Sequence, residues 1–182
     1  RQYFKQDYVS IGSNLSYNNV RTSNGVTFRT YKPAQQTGSG SENGINFNIW
    51  PVTGLKFSPS KVSFKAQRYG TDSGLMDVVW VSPDGSTTVV AVDLKPDRDN
   101  SGTYSDLSYD LTSLNIPVAE GECTLQIILH SLGNTKEAGF ADVVLEGQVT
   151  GTVVEVKTYN LSTSVSPDAA GEVNSSPVGN IF

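Results

Sequence analysis

The acidic segment 93–102 is the first place in the sequence where side chains could assemble a metal site. Asp97, Asp99 and Ser101 stand at alternating positions and a glycine follows them, as in the first half of a calcium-binding loop. The bidentate glutamate that closes such a loop is missing, because Ser108 stands at its position. We therefore interpret this segment as a solvated turn.

The chain contains one histidine, His130, and one cysteine, Cys123. A single cysteine excludes a disulfide framework, and a single histidine excludes the common multi-histidine metal sites. A lone histidine at the end of an apolar strand is typical of a hydrogen-bonded edge residue, and Cys123 suits a small core position. The sequence has no Gly-x-Ser-x-Gly elbow and no glycine-rich phosphate loop before a helix. We expect no enzymatic activity from this chain.

Aromatic side chains beside planar polar or cationic groups are the combination that sugar binding requires. The candidate ligand-binding residues are Tyr31, Trp50, Arg68, Tyr69 and Tyr104, which lie near predicted strand ends or loops. Arg68 beside Tyr69 is the most attractive pair, because a guanidinium can bind the carboxylate of a uronic acid. The alternative for each of these aromatic residues is a structural position, in the hydrophobic core or at its rim, without contact to a ligand.

These residues must be positioned by β-strands, because apolar residues recur at every second position. The segments 26–31, 45–49 and 62–67 alternate in this way, which predicts strands with one face on a core and one in water. Turn signals separate the strands, and the strongest is Pro83-Asp84-Gly85, which predicts a hairpin. About ten such strands predict an all-β fold, an antiparallel β-sandwich with jelly-roll topology.

Composition narrows the classes of partner. The 182 residues include 13 Lys and Arg against 18 Asp and Glu, for a formal net charge of −5. An acidic balance disfavours nucleic acid and anionic membranes, which select for clustered cations. No apolar run reaches 18 residues, so we expect no membrane span.

The composition shifts near residue 151. We expect a jelly-roll module over residues 1–150, then a linker strand and the truncated start of a following β-repeat over residues 151–182. Both ends of the sequence are abrupt, which indicates a fragment of a longer protein.

Several stretches resemble known families. Residues 3–8 and 139–147, with alternating strands between them, resemble galactose-binding-like jelly-roll modules, which include many carbohydrate-binding modules. Residues 61–70 and 131–136 are similar to the non-catalytic domain beside secreted bacterial pectate lyases. Residues 159–167, followed by residues 170–173, are similar to the opening of an internalin-type B-repeat.

The first resemblance implies a structural Ca²⁺ that joins the first strand to the last. The positions that match are Asp7 and Asp142, with Glu146 as the only candidate for a second acidic residue nearby. The alternative is that Asp7 and Asp142 are solvated or cap turns.

The resemblances together imply a non-catalytic carbohydrate-binding module of a secreted polysaccharide-degrading, pectate-lyase-like enzyme. Its partners would be a pectic or other plant cell-wall polysaccharide and the rest of its own multidomain chain. We expect a monomer that is secreted or located at the bacterial cell surface or periplasm. The alternatives are a structural spacer or docking domain without glycan affinity and an adhesin-like protein-binding module.

Overall fold

The computed structural model describes residues 3–71, 73–99 and 102–153, without the side chains of residues 5–7 and 73. These ranges include the short 3-10 turns Ser41–Asn43 and Thr112–Leu114, and within them no helix has the length and hydropathy to cross a bilayer. The ten strands are β1 (Phe4–Ile11), β2 (Leu15–Ser23), β3 (Val26–Pro33), β4 (Gly44–Pro51), β5 (Leu55–Tyr69), β6 (Ser73–Val81), β7 (Thr87–Leu94), β8 (Ser105–Asp110), β9 (Cys123–Leu132) and β10 (Glu137–Gly151).

The strands form two five-stranded antiparallel sheets. We call the sheet with the order β1-β4-β9-β6-β7 the front sheet, and the sheet with the order β2-β3-β10-β5-β8 the back sheet. Without β1 and β2, the two orders are β4-β9-β6-β7 and β3-β10-β5-β8, which is the strand order of a jelly roll. The structure therefore confirms the prediction of an all-β antiparallel sandwich.

The core lies between the sheets and follows from the alternation in the sequence. In β5, Val62, Phe64 and Ala66 are buried, while Ser63 and Lys65 between them face outward. The more continuously apolar strands β6 and β9 occupy the middle of the front sheet, where neighbours on both sides protect them. Each large side chain buried in this way stabilises the fold by about 1.5–3 kcal/mol relative to its exposed state.

The predicted hairpin connects β6 and β7. Val81 pairs with Thr87 across the turn, and Gly85 has a φ of 82°, which side-chain-bearing residues rarely adopt. The Asp84 carboxylate accepts hydrogen bonds from the hydroxyl and the backbone N–H of Ser86, and these bonds lower the pKa of Asp84. The sequence prediction of this hairpin is confirmed.

Strand β10 is the last described strand and lies inside the back sheet. It pairs with β5 along its whole length, but with β3 only from Ala138 to Phe140. The first and last strands of the jelly roll are therefore neighbours. Residues 154–182 lie outside the described residues, so the following β-repeat stays a prediction.

We predict that Leu125→Ala destabilises the protein by about 2–5 kcal/mol, because Leu125 is fully buried beside Trp80 and its truncation leaves a cavity. Urea denaturation followed by tryptophan fluorescence measures the difference. Val89→Ala, at an exposed position of β7, is the control and should change the stability by no more than about 0.5 kcal/mol. Equal effects of the two substitutions would contradict this description of the core.

Candidate functional site

The outward face of the front sheet carries two adjacent rows of polar side chains. Backbone pairing places Ser10, Asn46 and Gln126 in one row across β1, β4 and β9. The same pairing places Tyr8, Asn48 and Thr124 in the next row. We call the amide and aliphatic hydroxyl residues of these rows the polar face: Ser10, Asn46, Asn48, Thr124 and Gln126.

The side chains of the polar face hold one another in place. The Gln126 amide donates to Asn46 Oδ1 over 2.7 Å, which fixes the orientation of both amides. The Asn48 amide donates to Ser10 Oγ over 3.0 Å, and Thr124 Oγ1 donates to Asn48 Oδ1 over 2.8 Å. An amide group offers two donor hydrogens and two acceptor lone pairs, so the bond between Gln126 and Asn46 leaves capacity for a ligand. Asn48 is buried and also donates to the backbone carbonyl oxygens of Tyr8 and Asn46, so it serves to hold the face in place. The face is therefore ordered before anything binds.

Gly44 provides the space for the amide pair. A Cβ at this position would lie 2.8 Å from Gln126 Nε2 and 3.1 Å from Asn46 Oδ1. The backbone of Gly44 is ordinary extended chain, with φ −89° and ψ 141°. Glycine is thus needed here for its lack of a side chain and not for its conformational freedom.

Two partly exposed aromatic residues border the polar face. Trp50 follows Asn48 by two positions on β4 and is 37% exposed, and Tyr8 on β1 is 41% exposed. The Tyr8 hydroxyl donates to Glu122 Oε1 over 2.8 Å, and this hydrogen bond raises the pKa of Tyr8. Aromatic rings held beside oriented amides can contact the apolar faces of a sugar while the amides bond its hydroxyls.

The charges around the polar face are negative. Glu122 lies at one end, and Asp77 faces outward on β6, where it pairs with Ile128. Among the side chains that the strand register places on this face, none of those described is Lys or Arg. The face is therefore suited to an uncharged ligand.

The structure places Tyr31 and Tyr69, two of the sequence-predicted ligand residues, in buried positions. Tyr31 lies in the core between the sheets, with its ring 6.2 Å from that of Phe140. Tyr69 lies on the other side of the back sheet, where its hydroxyl donates to Gln67 Oε1 and the Arg21 guanidinium covers its ring at 4.7 Å. Burial raises the pKa of Tyr69 to about 12.

Arg68 is held by the segment between β7 and β8, and Tyr104 belongs to that segment. Arg68 Nε donates to the carbonyl oxygen of Pro96 over 2.7 Å, and its backbone N–H donates to Asp97 O over 3.0 Å. The ring of Tyr104 packs 5.5 Å from that of Phe28 on the back sheet. The structure thus separates these residues from Trp50, and the predicted five-residue set is not brought together.

The residues of the predicted calcium site also lie in different sheets. Asp7 is in β1 of the front sheet, whereas Asp142 is in β10 of the back sheet. The side chain of Asp7 is not among those that the structure describes. Lys65 Nζ lies 2.6 Å from Asp142 Oδ2 and occupies the position where a cation would bind. The described residues therefore do not fit a calcium site at Asp142, and calcium binding stays a prediction.

No protein-family model and no curated protein matches the chain. Among solved structures, it is similar to a carbohydrate-binding module described as specific for non-crystalline cellulose, CBM28, with 11% identity, a TM-score of 0.46, and coverage of 74% of this chain and 89% of that one. It is similar to a CBM4 structure with 15% identity, a TM-score of 0.48, and coverage of 78% and 86%. An arabinose-bound GH51 α-L-arabinofuranosidase matches with 14% identity, a TM-score of 0.42, and coverage of 76% and 23%. Likenesses at this level assign neither a family nor a ligand to the chain.

The cluster around Tyr69 is closed by an ion pair between Arg21 and Glu137. Arg21 Nε and Nη2 donate to the two carboxylate oxygens over 3.2 Å and 3.0 Å. Burial raises the pKa of Glu137, but hydrogen bonds from Arg21, Thr30 and Asn18 lower it, and the net direction is downward. The carboxylate therefore stabilises the folded state while it is ionised.

We predict that Glu137→Gln lowers the free energy of unfolding at pH 7, and that the difference from the unmodified protein shrinks as the pH falls. The pKa of Glu137 is lower in the folded state than its ordinary value of 4.5. The stabilisation is thus complete above about pH 5 and is lost as the pH falls through the lowered pKa of the folded state. Urea denaturation of both proteins at pH 7 and pH 3 measures the difference. An equal difference at the two pH values would contradict the role of this ion pair.

Proposed function

We propose that this chain is a non-catalytic carbohydrate-binding module whose polar face binds a neutral polysaccharide. The observation that carries the proposal is the set of mutually oriented amides and hydroxyls on one sheet face, bordered by the exposed rings of Tyr8 and Trp50. Secretion, and attachment to a polysaccharide-degrading enzyme, belong to the same proposal. In such an enzyme a weak module raises the local concentration of substrate near a linked catalytic domain.

The chemistry of the polar face matches that of a sugar chain. Sugar hydroxyls are both donors and acceptors, and a fixed amide can address two of them at once. The bond from Gln126 to Asn46 and the bonds around Asn48 hold these amides in single orientations, so less side-chain entropy is lost on binding. A polysaccharide bound across the sheet, perpendicular to the strands, would pass over a new strand about every 4.8 Å. The face can therefore contact successive sugar units of a polymer.

The charges favour a neutral glycan over the pectic ligand that the sequence resemblance implies. The formal net charge is −5, and Glu122 and Asp77 add local negative charge beside the polar face. Two like charges 4 Å apart repel by about 1 kcal/mol in bulk water and more in a partly dry site. A uronate carboxylate bound near Glu122 or Asp77 would meet this repulsion, whereas a neutral sugar would not.

Isothermal titration calorimetry with soluble neutral glycans, namely a β-glucan, a xylan and a galactomannan, and with polygalacturonate tests this proposal. We predict saturable binding of at least one neutral polymer. Trp50→Ala and Gln126→Ala should each weaken that binding about tenfold or more, which corresponds to about 1.4 kcal/mol. Arg68→Ala, on the opposite sheet, should bind like the unmodified protein.

Other outcomes of the titration would contradict the proposal. Binding of polygalacturonate alone would refute the neutral ligand. Loss of binding in Arg68→Ala with full binding in Trp50→Ala would place the site on the back sheet. The absence of binding to every polymer would favour the spacer function.

We predict that Gly44→Ala lowers glycan affinity without unfolding the protein, because its Cβ must displace the Gln126 amide from Asn46. The matched control is Gly38→Ala, since a Cβ at Gly38 meets no atom within 4 Å. Thermal melting checks that both variants fold, and titration with the glycan that binds gives their affinities. Unchanged affinity in Gly44→Ala would show that the orientation of the amide pair does not matter for binding.

A further inference from the structure

Three side chains that can ligate a metal converge at the end of the front sheet away from Trp50. One ligand atom from each of Asp77, Asp93 and His130 lies within 4.8 Å of the others. None of the three takes part in the hydrogen bonds of the polar face. His130 is the single histidine of the chain, so this cluster holds its only imidazole.

The fold builds the cluster with an irregularity between β6 and β7. Met76 pairs with Leu94 and Val78 pairs with Ala91, so one residue of β6, Asp77, lies opposite two residues of β7. Such a bulge changes the direction in which a side chain points. Asp93, the second of the two residues, has a φ of 52°, and its backbone N–H donates to Asp77 Oδ1 over 2.8 Å. The bulge thus brings two carboxylates to one point.

His130 reaches the same point from the neighbouring strand. Backbone pairing puts His130 opposite Leu75 on β6, two residues before Asp77. His130 Nε2 lies 3.1 Å from Asp77 Oδ1 and 3.5 Å from Asp93 Oδ1. Two atoms bound to the same tetrahedral zinc ion, each about 2.0–2.1 Å from it, are about 3.3 Å apart. The two separations from His130 Nε2, 3.1 Å and 3.5 Å, lie on either side of that value.

The charge and exposure of the cluster also suit a cation. In the part of the chain that the structure describes, no ion pair with Lys or Arg is found for Asp77 or Asp93, in contrast to Asp142, which Lys65 neutralises. The side chains of His130 and Asp77 are 13% and 20% exposed, whereas that of Asp93 is 72% exposed. A cation can therefore enter from the solvent on the Asp93 side and meet two partly buried ligands.

We propose that Asp77, Asp93 and His130 form a binding site for a divalent transition-metal ion such as Zn²⁺. Imidazole nitrogen with carboxylate oxygen is a ligand set for Zn²⁺, Ni²⁺ and Cu²⁺ and not for Mg²⁺, which prefers oxygen ligands. Three protein ligands leave one position of a tetrahedral ion open to water. The site is separate from the amide rows, so it stands whether or not the polar face binds a glycan.

Two titrations of the untagged, EDTA-treated protein test the site. We predict one-to-one saturable binding of ZnCl₂ in calorimetry and, in parallel, a shift of the single imidazole signal in the proton NMR spectrum. NiCl₂ should broaden the same signal selectively, because this paramagnetic ion would be bound at the ring. Zinc should also raise the melting temperature, since it binds the folded state.

Substitutions assign the binding to these side chains. Asp93→Asn and His130→Gln should each weaken zinc binding about tenfold or more, because each removes one of three ligands. Asp106→Asn, at an exposed carboxylate on the back sheet, is the control and should bind zinc like the unmodified protein. Asp93→Asn retains the backbone donor to Asp77, and asparagine accepts positive φ, so this variant tests the site even if His130→Gln does not fold.

Two results would overturn the proposal. The first is no saturable binding and no shift of the imidazole signal at about 1 mM zinc, which would leave His130 as a hydrogen-bond donor only. The second is zinc binding by Asp93→Asn as tight as that of the unmodified protein, which would place the metal elsewhere on the chain.

Discussion

The burial of Trp80 between the sheets determines which side chains the front sheet can offer to solvent. Trp80 points inward and is paired with Leu125, which also points inward. Because successive side chains of a strand alternate between its faces, Thr124 and Gln126 must then point outward. A shift of one residue in register would exchange the two faces completely. The polar face is therefore the obligatory reverse side of the hydrophobic core.

The outward faces of the two sheets differ in how far other residues cover them. On the back sheet, Phe28 and Tyr69 point away from the core but are buried, because the residues that follow β7 and the pair of Arg21 and Glu137 cover them. On the front sheet, amides bond to one another and the bordering rings of Tyr8 and Trp50 stay partly exposed. The outward face of the back sheet is thus covered by other segments, whereas the outward face of the front sheet stays open and presents fixed hydrogen-bonding groups.

The sequence alone predicted the class of fold because strand alternation and turn residues are local signals. Segments 26–31, 45–49 and 62–67 all lie in strands, and Pro83-Asp84-Gly85 forms the hairpin. The location of the polar face was not predictable in this way. Asn46 and Gln126 are 80 residues apart and meet only through the pairing of β4 with β9. The burial of Tyr69 was not predictable for the same reason. Strand alternation predicts that its side chain points outward, but the Arg21 side chain that covers its ring lies far away in the sequence. One local signal did exist, since Asn46 and Asn48 place two amides on one side of a strand.

The place of β10 between β3 and β5 has a consequence for how the chain reaches its fold. Residue 138 pairs with residue 31, so the back sheet cannot close until nearly the whole module has been made. Closing a loop of this length costs entropy before the paired strands return any stability, and such topologies fold slowly. During synthesis, the backbone hydrogen-bonding groups on one edge of β3 therefore stay unpaired until β10 has emerged. Incomplete chains therefore expose an unpaired strand edge that can pair with the same edge of another chain. The sequence must limit this aggregation until β10 has been synthesised.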